Sequence, residues 1–201
     1  MRARAGSPRR RADSLFALLL RLRLRLIVHG PSMGALDSWG FCPVCGEAIE
    51  KVEDRAECPA CGYVGYANPV PGAEAVCFDE RGRVLLGRRA FDPGKGLWDL
   101  PGGFLHEDEH PLEALHREIR EETALGIEPI DFLGFWLEPY DGRVVLCLAW
   151  TASATGKPRA GDDLVELRWF EPDDLPPPSE LAFTHYPEVL SAALSSRHEH
   201  A

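Results

Sequence analysis

Three glutamates carry the strongest chemical signal in this chain. Glu118, Glu121 and Glu122 stand in the run Arg117-Glu118-Ile119-Arg120-Glu121-Glu122. On a helix, spacings of three and four bring side chains onto one surface, where like charges repel by roughly a few tenths of a kcal/mol per pair. A divalent cation reverses the sign of that interaction. Hard, oxygen-only ligands suit Mg2+ or Mn2+ rather than zinc. The competing reading of these six residues alone is a solvated acidic face laced with Arg117 and Arg120. The element that must position them opens at Pro111, whose missing N–H the first helical turn leaves unpaired anyway. Leu112, Leu115 and Ile119 then recur at steps of three and four, which marks a buried face.

A second cluster is softer. Cys42, Cys45, Cys58 and Cys61 form two Cys-Pro-x-Cys-Gly knuckles. Four thiolates from two such turns make a closed tetrahedral Zn2+ site, structural because protein fills every position. Two disulfides or a redox dithiol are the alternatives. Such a site holds together a module too small to bury a core. The two remaining cysteines, Cys77 and Cys147, fall in apolar, strand-like runs and read as buried core thiols.

The intervals ahead of the glutamates add context. Gly103, five residues, Glu109, seven residues, then Arg117-Glu118-Ile119-x-Glu121-Glu122 resembles the box of the Nudix hydrolase superfamily. One position departs: Ala124 stands where the box has Gly, at the helix end, and Gly126 is the residue expected to take that turn. The resemblance implies an α/β fold, an α/β/α sandwich with a mixed sheet, and a metal site built from Glu118, Glu121, Glu122 and the backbone carbonyl of Gly103. It further implies that Arg117 orients the carboxylates and that Glu109 supports the loop or a second metal. Arg88 or Arg89 is expected to turn toward substrate phosphates, and strand alternation allows only one of them to do so. The general base is Glu121 or a carboxylate of a distant loop. Asp163, with Asp162 beside it, stands ahead of an apolar strand as the candidate, and Glu166 is weaker.

Size and charge bound the rest. The 201 residues are 45% hydrophobic, enough for one sizeable domain plus small additions. Residues 1–36 hold eight of the 22 basic residues and one of the 32 acids, so residues 37–201 carry 14 against 31. A part this acidic is a poor non-specific ligand for nucleic acid or anionic membrane. The order expected is a basic extension at 1–36, a zinc ribbon at 37–68 and the Nudix domain at 69–201. The extension alternates Leu with Arg and admits three readings: a membrane-surface or targeting segment, a nucleic-acid-binding arm, or sequence ahead of a start at Met33. Its apolar run is too short for a signal peptide or a bilayer span, so a cytoplasmic location is the default. The ribbon's Lys51 and Arg55 face five acids, which favours packing or homodimer formation over nucleic-acid contact.

Strands are expected at 73–78 and 84–88 as a hairpin, then at 131–138, 144–152 and 164–170, with a last helix at 186–194. Trp98 reads as a core residue rather than a base-stacking one, and His106, His110, His116 and His185 show no ligand spacing. The substrate class implied by the resemblance is a nucleoside diphosphate linked to another group. A ribbon ahead of such a domain is similar to the NADH pyrophosphatases, but their Ser-Gln-Pro-Trp-Pro-Phe-Pro-x-Ser signature is absent here. The order of elements also resembles a group of ribbon-bearing Nudix proteins linked to ADP-ribose or FAD-type substrates, and an ADP-ribose-like compound is the expectation this resemblance implies. A nucleotide sensor or interaction module, and an NADH, FAD or capped-RNA pyrophosphatase, stand as alternatives.

Overall fold

The computed structural model describes residues 35–200, with side chains to 197. The expectations for the basic extension, and for Met33, lie outside the described residues. After a short 3-10 turn at Ala35–Ser38 comes a three-stranded antiparallel sheet of β1 (Glu50–Val52), β2 (Arg55–Glu57) and β3 (Val64–Tyr66) in the order β1-β2-β3. One cysteine knuckle, Cys42 and Cys45, precedes β1, and the other, Cys58 and Cys61, lies in the connection between β2 and β3.

The main sheet has seven strands. These are β4 (Val70–Phe78), β5 (Val84–Arg89), β6 (Trp98–Asp99), β7 (Gly102–Phe104), β8 (Gly126–Tyr140), β9 (Arg143–Thr155) and β10 (Leu164–Phe170). The order is β10-β5-β4-β9-β8, with β6 on β5 and β7 on β4. The β4–β9 pair is parallel and the others antiparallel, so the sheet is mixed. Asp141 and Gly142, with φ 44 and 74, form the hairpin turn between β8 and β9.

The expected hairpin of β4 and β5 is shorter than its apolar runs suggest. Only Phe78 and Val84 pair before the strands part. The parted β4 then pairs through Gly72, Ala73 and Glu74 with β7, while Gly87 and Arg88 of β5 pair with β6. Two short strands that the hydrophobic pattern did not announce thus fill the gap, and they carry Asp99, Gly102 and Gly103 to the middle of the sheet.

Helices cover both faces. The first, α1, spans Pro111–Thr123, and the second, α2, spans Tyr186–His200. On one face Ala114, Leu115 and Ile119 of α1 pack with Ala73, Ala75, Cys77 and Leu85. On the other, Tyr186, Val189, Leu190 and Ala193 of α2 pack with Val76, Phe78, Val84 and Leu86. Alternate residues of β4 and β5 therefore serve opposite cores, as the pleat requires. Trp98 is buried and meets Phe170 edge-on at 4.9 Å, the core role expected. Among the described residues no helix is long and apolar enough to cross a membrane.

The two ends of α1 differ from the simple pattern. His110, which the sequence left without a role, caps the N-terminus: its Nδ1 accepts from Leu112 N at 3.2 Å, and Glu113 accepts from His110 N at 3.1 Å. At the C-terminus Ala124 itself adopts the left-handed conformation, φ 59 and ψ 16, and donates to Arg120 O. Gly126 does not take that turn. It already pairs with Thr155 as the first residue of β8, so the reversal has to be complete before it.

Candidate active site

The loop ahead of β10 is fastened to the end of α1. Arg159 N donates to Thr123 O at 2.8 Å and Gly161 N to Glu122 O at 2.9 Å, which satisfies carbonyls that a helix end leaves without partners. A Cβ on Gly161 would stand 2.7 Å from Glu121 O, so this approach needs glycine. The fastening brings Asp162 over the helix. Glu118, Glu121 and Asp162 each place a carboxylate oxygen within 4.8 Å of the others.

Glu122 points elsewhere. It is 4% exposed and accepts from Gly102 N at 2.9 Å. Burial pushes its carboxyl well above the ordinary value. A hydrogen bond with Asp163 and the charges of Asp99 and Asp163 add to this, and Gly102 N–H works against it. Asp163 thus faces Glu122 and also lies 3.9 Å from Arg89 Nη2. Of the two adjacent aspartates, one joins the exposed carboxylate group and the other faces inward.

Arg117 organises the loop before the helix. Its guanidinium gives two bonds to Glu109, at 2.8 and 2.7 Å, one to Glu118 at 2.7 Å and one to Phe104 O at 3.0 Å. The bond from Arg117 holds Glu109 down at about 2. Burial raises Glu118, partly offset by Arg117. Gly103 lies against that same carboxylate, since a Cβ there would come within 2.5 Å of Glu118 Cδ.

On the other side of β7 opens a cleft, with Phe104, Tyr140 and Phe183 among its walls and Arg89 and Glu74 also lining it. Alternation and partners settle the two arginines. Arg89 is 6% exposed and donates to Asp99, to Pro93 O at 2.7 Å and to Tyr140 Oη at 3.2 Å. Arg88 lies outside the cleft, bonded to Glu166 at 2.7 Å and to Gly96 O at 2.8 Å, with its guanidinium 4.1 Å from the Trp98 ring centre. Of the two candidate arginines, Arg89 is the one that lines the cleft, Arg88 does not, and Glu166 is occupied as Arg88's partner.

His185 is the residue that sequence reasoning passed over. It is 5% exposed and stands between two acids, Nδ1 at 2.8 Å from Glu138 and Nε2 at 3.0 Å from Glu74. Burial opposes its charge, yet its contacts with Cys147, Glu138 and Glu74 push it up to about 11. Cys147 is buried as expected, but it lines the cleft beside this histidine rather than sitting among apolar side chains alone. The contacts span 111 residues of chain, so no local pattern announces them.

The four knuckle cysteines also converge. Cys42 and Cys61 sulfurs are 3.6 Å apart and those of Cys45 and Cys58 3.5 Å, with all four within 4.8 Å. A disulfide needs about 2.05 Å. A tetrahedral ion with Zn–S bonds of about 2.3 Å separates its sulfurs by roughly 3.8 Å, so the four residues fit zinc. Gly46 and Gly62, at φ 79 and 76, make the turns. Burial pushes the Cys42 thiol up, but N–H groups of Cys45 and Val44 outweigh it and hold it at about 7.

Comparison with known proteins places these features together. The NUDIX domain model matches residues 68–190. An ADP-ribose pyrophosphatase of Methanocaldococcus jannaschii is 33% identical over 126 residues, 61% of this chain and 72% of that one. A NAD-capped RNA hydrolase of Pseudomonas putida is 26% identical over 139 residues, 68% of this chain but only 50% of that protein. Among solved structures, a NUDIX hydrolase from Nitrosomonas europaea shares the fold at TM-score 0.66 and 24% identity, over 79% of this chain and 92% of that one. A MutT NUDIX hydrolase from Burkholderia pseudomallei matches at TM-score 0.55 and 32% identity, over 62% and 98%. With a matching domain model over more than half its length, the chain belongs to the Nudix hydrolase family.

Proposed function

We propose that the protein hydrolyses the diphosphate bond of a nucleoside diphosphate joined to a second group, with Mg2+ or Mn2+ as cofactor and an ADP-ribose-like compound as substrate. The observation that carries this reading is the convergence of Glu118, Glu121 and Asp162 across β7 from an aromatic-walled cleft, with Gly103 bordering both. All three offer hard oxygen, which fits Mg2+. Gly103, packed on Glu118, is the proposed source of a carbonyl ligand. A divalent ion held there supplies Lewis acidity to the diphosphate and to the attacking water. The chain's own groups do the rest. Arg117 holds Glu109 and Glu118 in place. Asp163, partly buried beside Glu122 and Arg89, is the proposed general base, and Glu122 the group that receives or returns a proton. Arg89 presents the cationic end of the cleft, and Phe104 and Tyr140, edge to face at 5.4 Å, offer ring surface to a base. The four cysteines are assigned a structural zinc.

The ADP-ribose preference rests on the relative named for that activity, at 33% identity. A second reading, hydrolysis of NAD-capped RNA, draws on the relative named for that activity. The charge balance of the ribbon speaks against it: Lys51 and Arg55 stand among Glu47, Glu50, Glu53, Asp54 and Glu57, and each is already paired with an acid, Lys51 with Asp37 at 2.8 Å and Arg55 with Glu57 at 2.5 Å. The deciding experiment measures turnover with Mg2+ or Mn2+ across ADP-ribose, NADH, FAD, sugar nucleotides, nucleoside triphosphates and a NAD-capped RNA. Preference for ADP-ribose is expected. No turnover on any of them would overturn the hydrolase reading in favour of a nucleotide sensor.

A further inference from the structure

We infer that Glu74, Cys147 and His185 form a further metal site, for a borderline divalent ion of the zinc class, at the floor of the cleft. The three come from β4, β9 and the turn into α2. Parallel pairing sets Gly72 opposite Cys147, so Glu74, two residues on, projects from the same face as that thiol. One ligand atom from each residue lies within 4.8 Å of the other two. All three side chains are buried, and all three border the cleft, which provides the path of entry.

The imidazole is oriented as a metal ligand is. Its Nδ1 is held at 2.8 Å by Glu138, and that carboxylate is itself fixed by Thr184 N at 3.1 Å and Thr184 Oγ1 at 2.8 Å. Carboxylates commonly fix metal-bound histidines in this way. The other nitrogen, Nε2, is ion-paired with Glu74 at 3.0 and 3.3 Å, and an ion bound there takes the place of its proton, which is released together with that of the Cys147 thiol. A tetrahedral ion with bonds of about 2.0–2.1 Å holds neighbouring N and O donors roughly 3.3 Å apart, close to what the protein already presents.

The donor set separates this site from the other two. A thiolate and an imidazole select zinc-class ions over Mg2+, unlike the all-oxygen group of Glu118, Glu121 and Asp162. Three protein ligands leave one position open toward the cleft, unlike the closed four-cysteine site. An ion here therefore occupies the cleft floor and offers a coordination point to a donor atom of the molecule bound above it.

The test uses the full chain in excess Mg2+, which satisfies the oxygen-only group. Cadmium NMR of the wild-type protein distinguishes a four-sulfur environment from a one-sulfur one. A one-sulfur resonance is expected, whether or not the four-sulfur resonance is present, and its absence overturns the proposal. Native mass spectrometry then counts zinc. The count is expected to fall by one ion per chain in Cys147→Ser and in His185→Gln. An unchanged count in either folded variant overturns the site. Neither readout depends on hydrolysis or on the occupancy of the ribbon.

Discussion

Gly103→Ala separates function from stability at one atom. The added Cβ would stand 2.5 Å from Glu118 Cδ and 2.6 and 2.7 Å from its oxygens. Ordinary contact begins near 3.4 Å, so the carboxylate must retreat by roughly 1 Å, the size of misplacement that costs on the order of 10²-fold in rate. That is about 2.7 kcal/mol of barrier. The fold should notice little, because the displaced group is the end of a flexible side chain. Removing glycine's freedom from the unfolded chain also offsets about 0.4–1 kcal/mol. The neighbouring position behaves oppositely. Gly102 has φ 153, and a Cβ there would meet Ala73 O at 2.3 Å and Glu74 Cα at 2.6 Å, both backbone. Gly102→Ala is expected to cost several kcal/mol of stability, the strained conformation alone accounting for about 1–3 kcal/mol. The assay is kcat at saturating Mg2+ on the preferred diphosphate, alongside a thermal melt. Gly103→Ala with wild-type kcat, or with a melting loss as large as that of Gly102→Ala, would refute the reasoning.

Three further outcomes are expected. Glu118→Gln and Glu122→Gln should each abolish hydrolysis with the melt nearly unchanged, since the amide keeps the shape of the carboxyl and at Glu122 can still accept from Gly102 N; turnover retained by either would remove it from the site. Ala124→Gly should raise stability by about 1 kcal/mol, because a left-handed conformation costs a Cβ-bearing residue about that much, and denaturant unfolding reads it directly. Asp79 accepts from Arg81 N, Arg83 N and Arg83 Nε in the turn after β4. Burial raises its carboxyl, but these donors outweigh it and hold it below the ordinary 3.8. A depressed acid stabilises above its unfolded pKa and loses that contribution as pH falls through the folded one. Asp79→Asn should therefore lower stability by about 1 kcal/mol at neutral pH, and the gap should close in acid; a gap independent of pH would contradict the assignment.

Local spacing was sufficient for the elements that are periodic or contiguous. The α1 face, the four knuckle cysteines and the strand at 164–170 all depend on residues close in the chain, and each lies where its pattern put it. The paired arginines show the limit of such reasoning. Alternation dictates that Arg88 and Arg89 face opposite ways, but Asp99, arriving on β6, decides which is inside. Likewise the box spacing groups Glu118, Glu121 and Glu122. The tertiary fold divides them, because Gly102 N–H draws Glu122 inward while the loop tied to the end of α1 delivers Asp162 in its place. His185 is the extreme case: both its partners come from distant strands, and a lone histidine carries no period of its own. The sequence by itself determined which groups exist and which lie on one element. Which of them meet was decided by sheet order and by backbone hydrogen bonds between distant segments, since electrostatic and metal-binding contacts act over a few ångströms of space and are indifferent to separation along the chain.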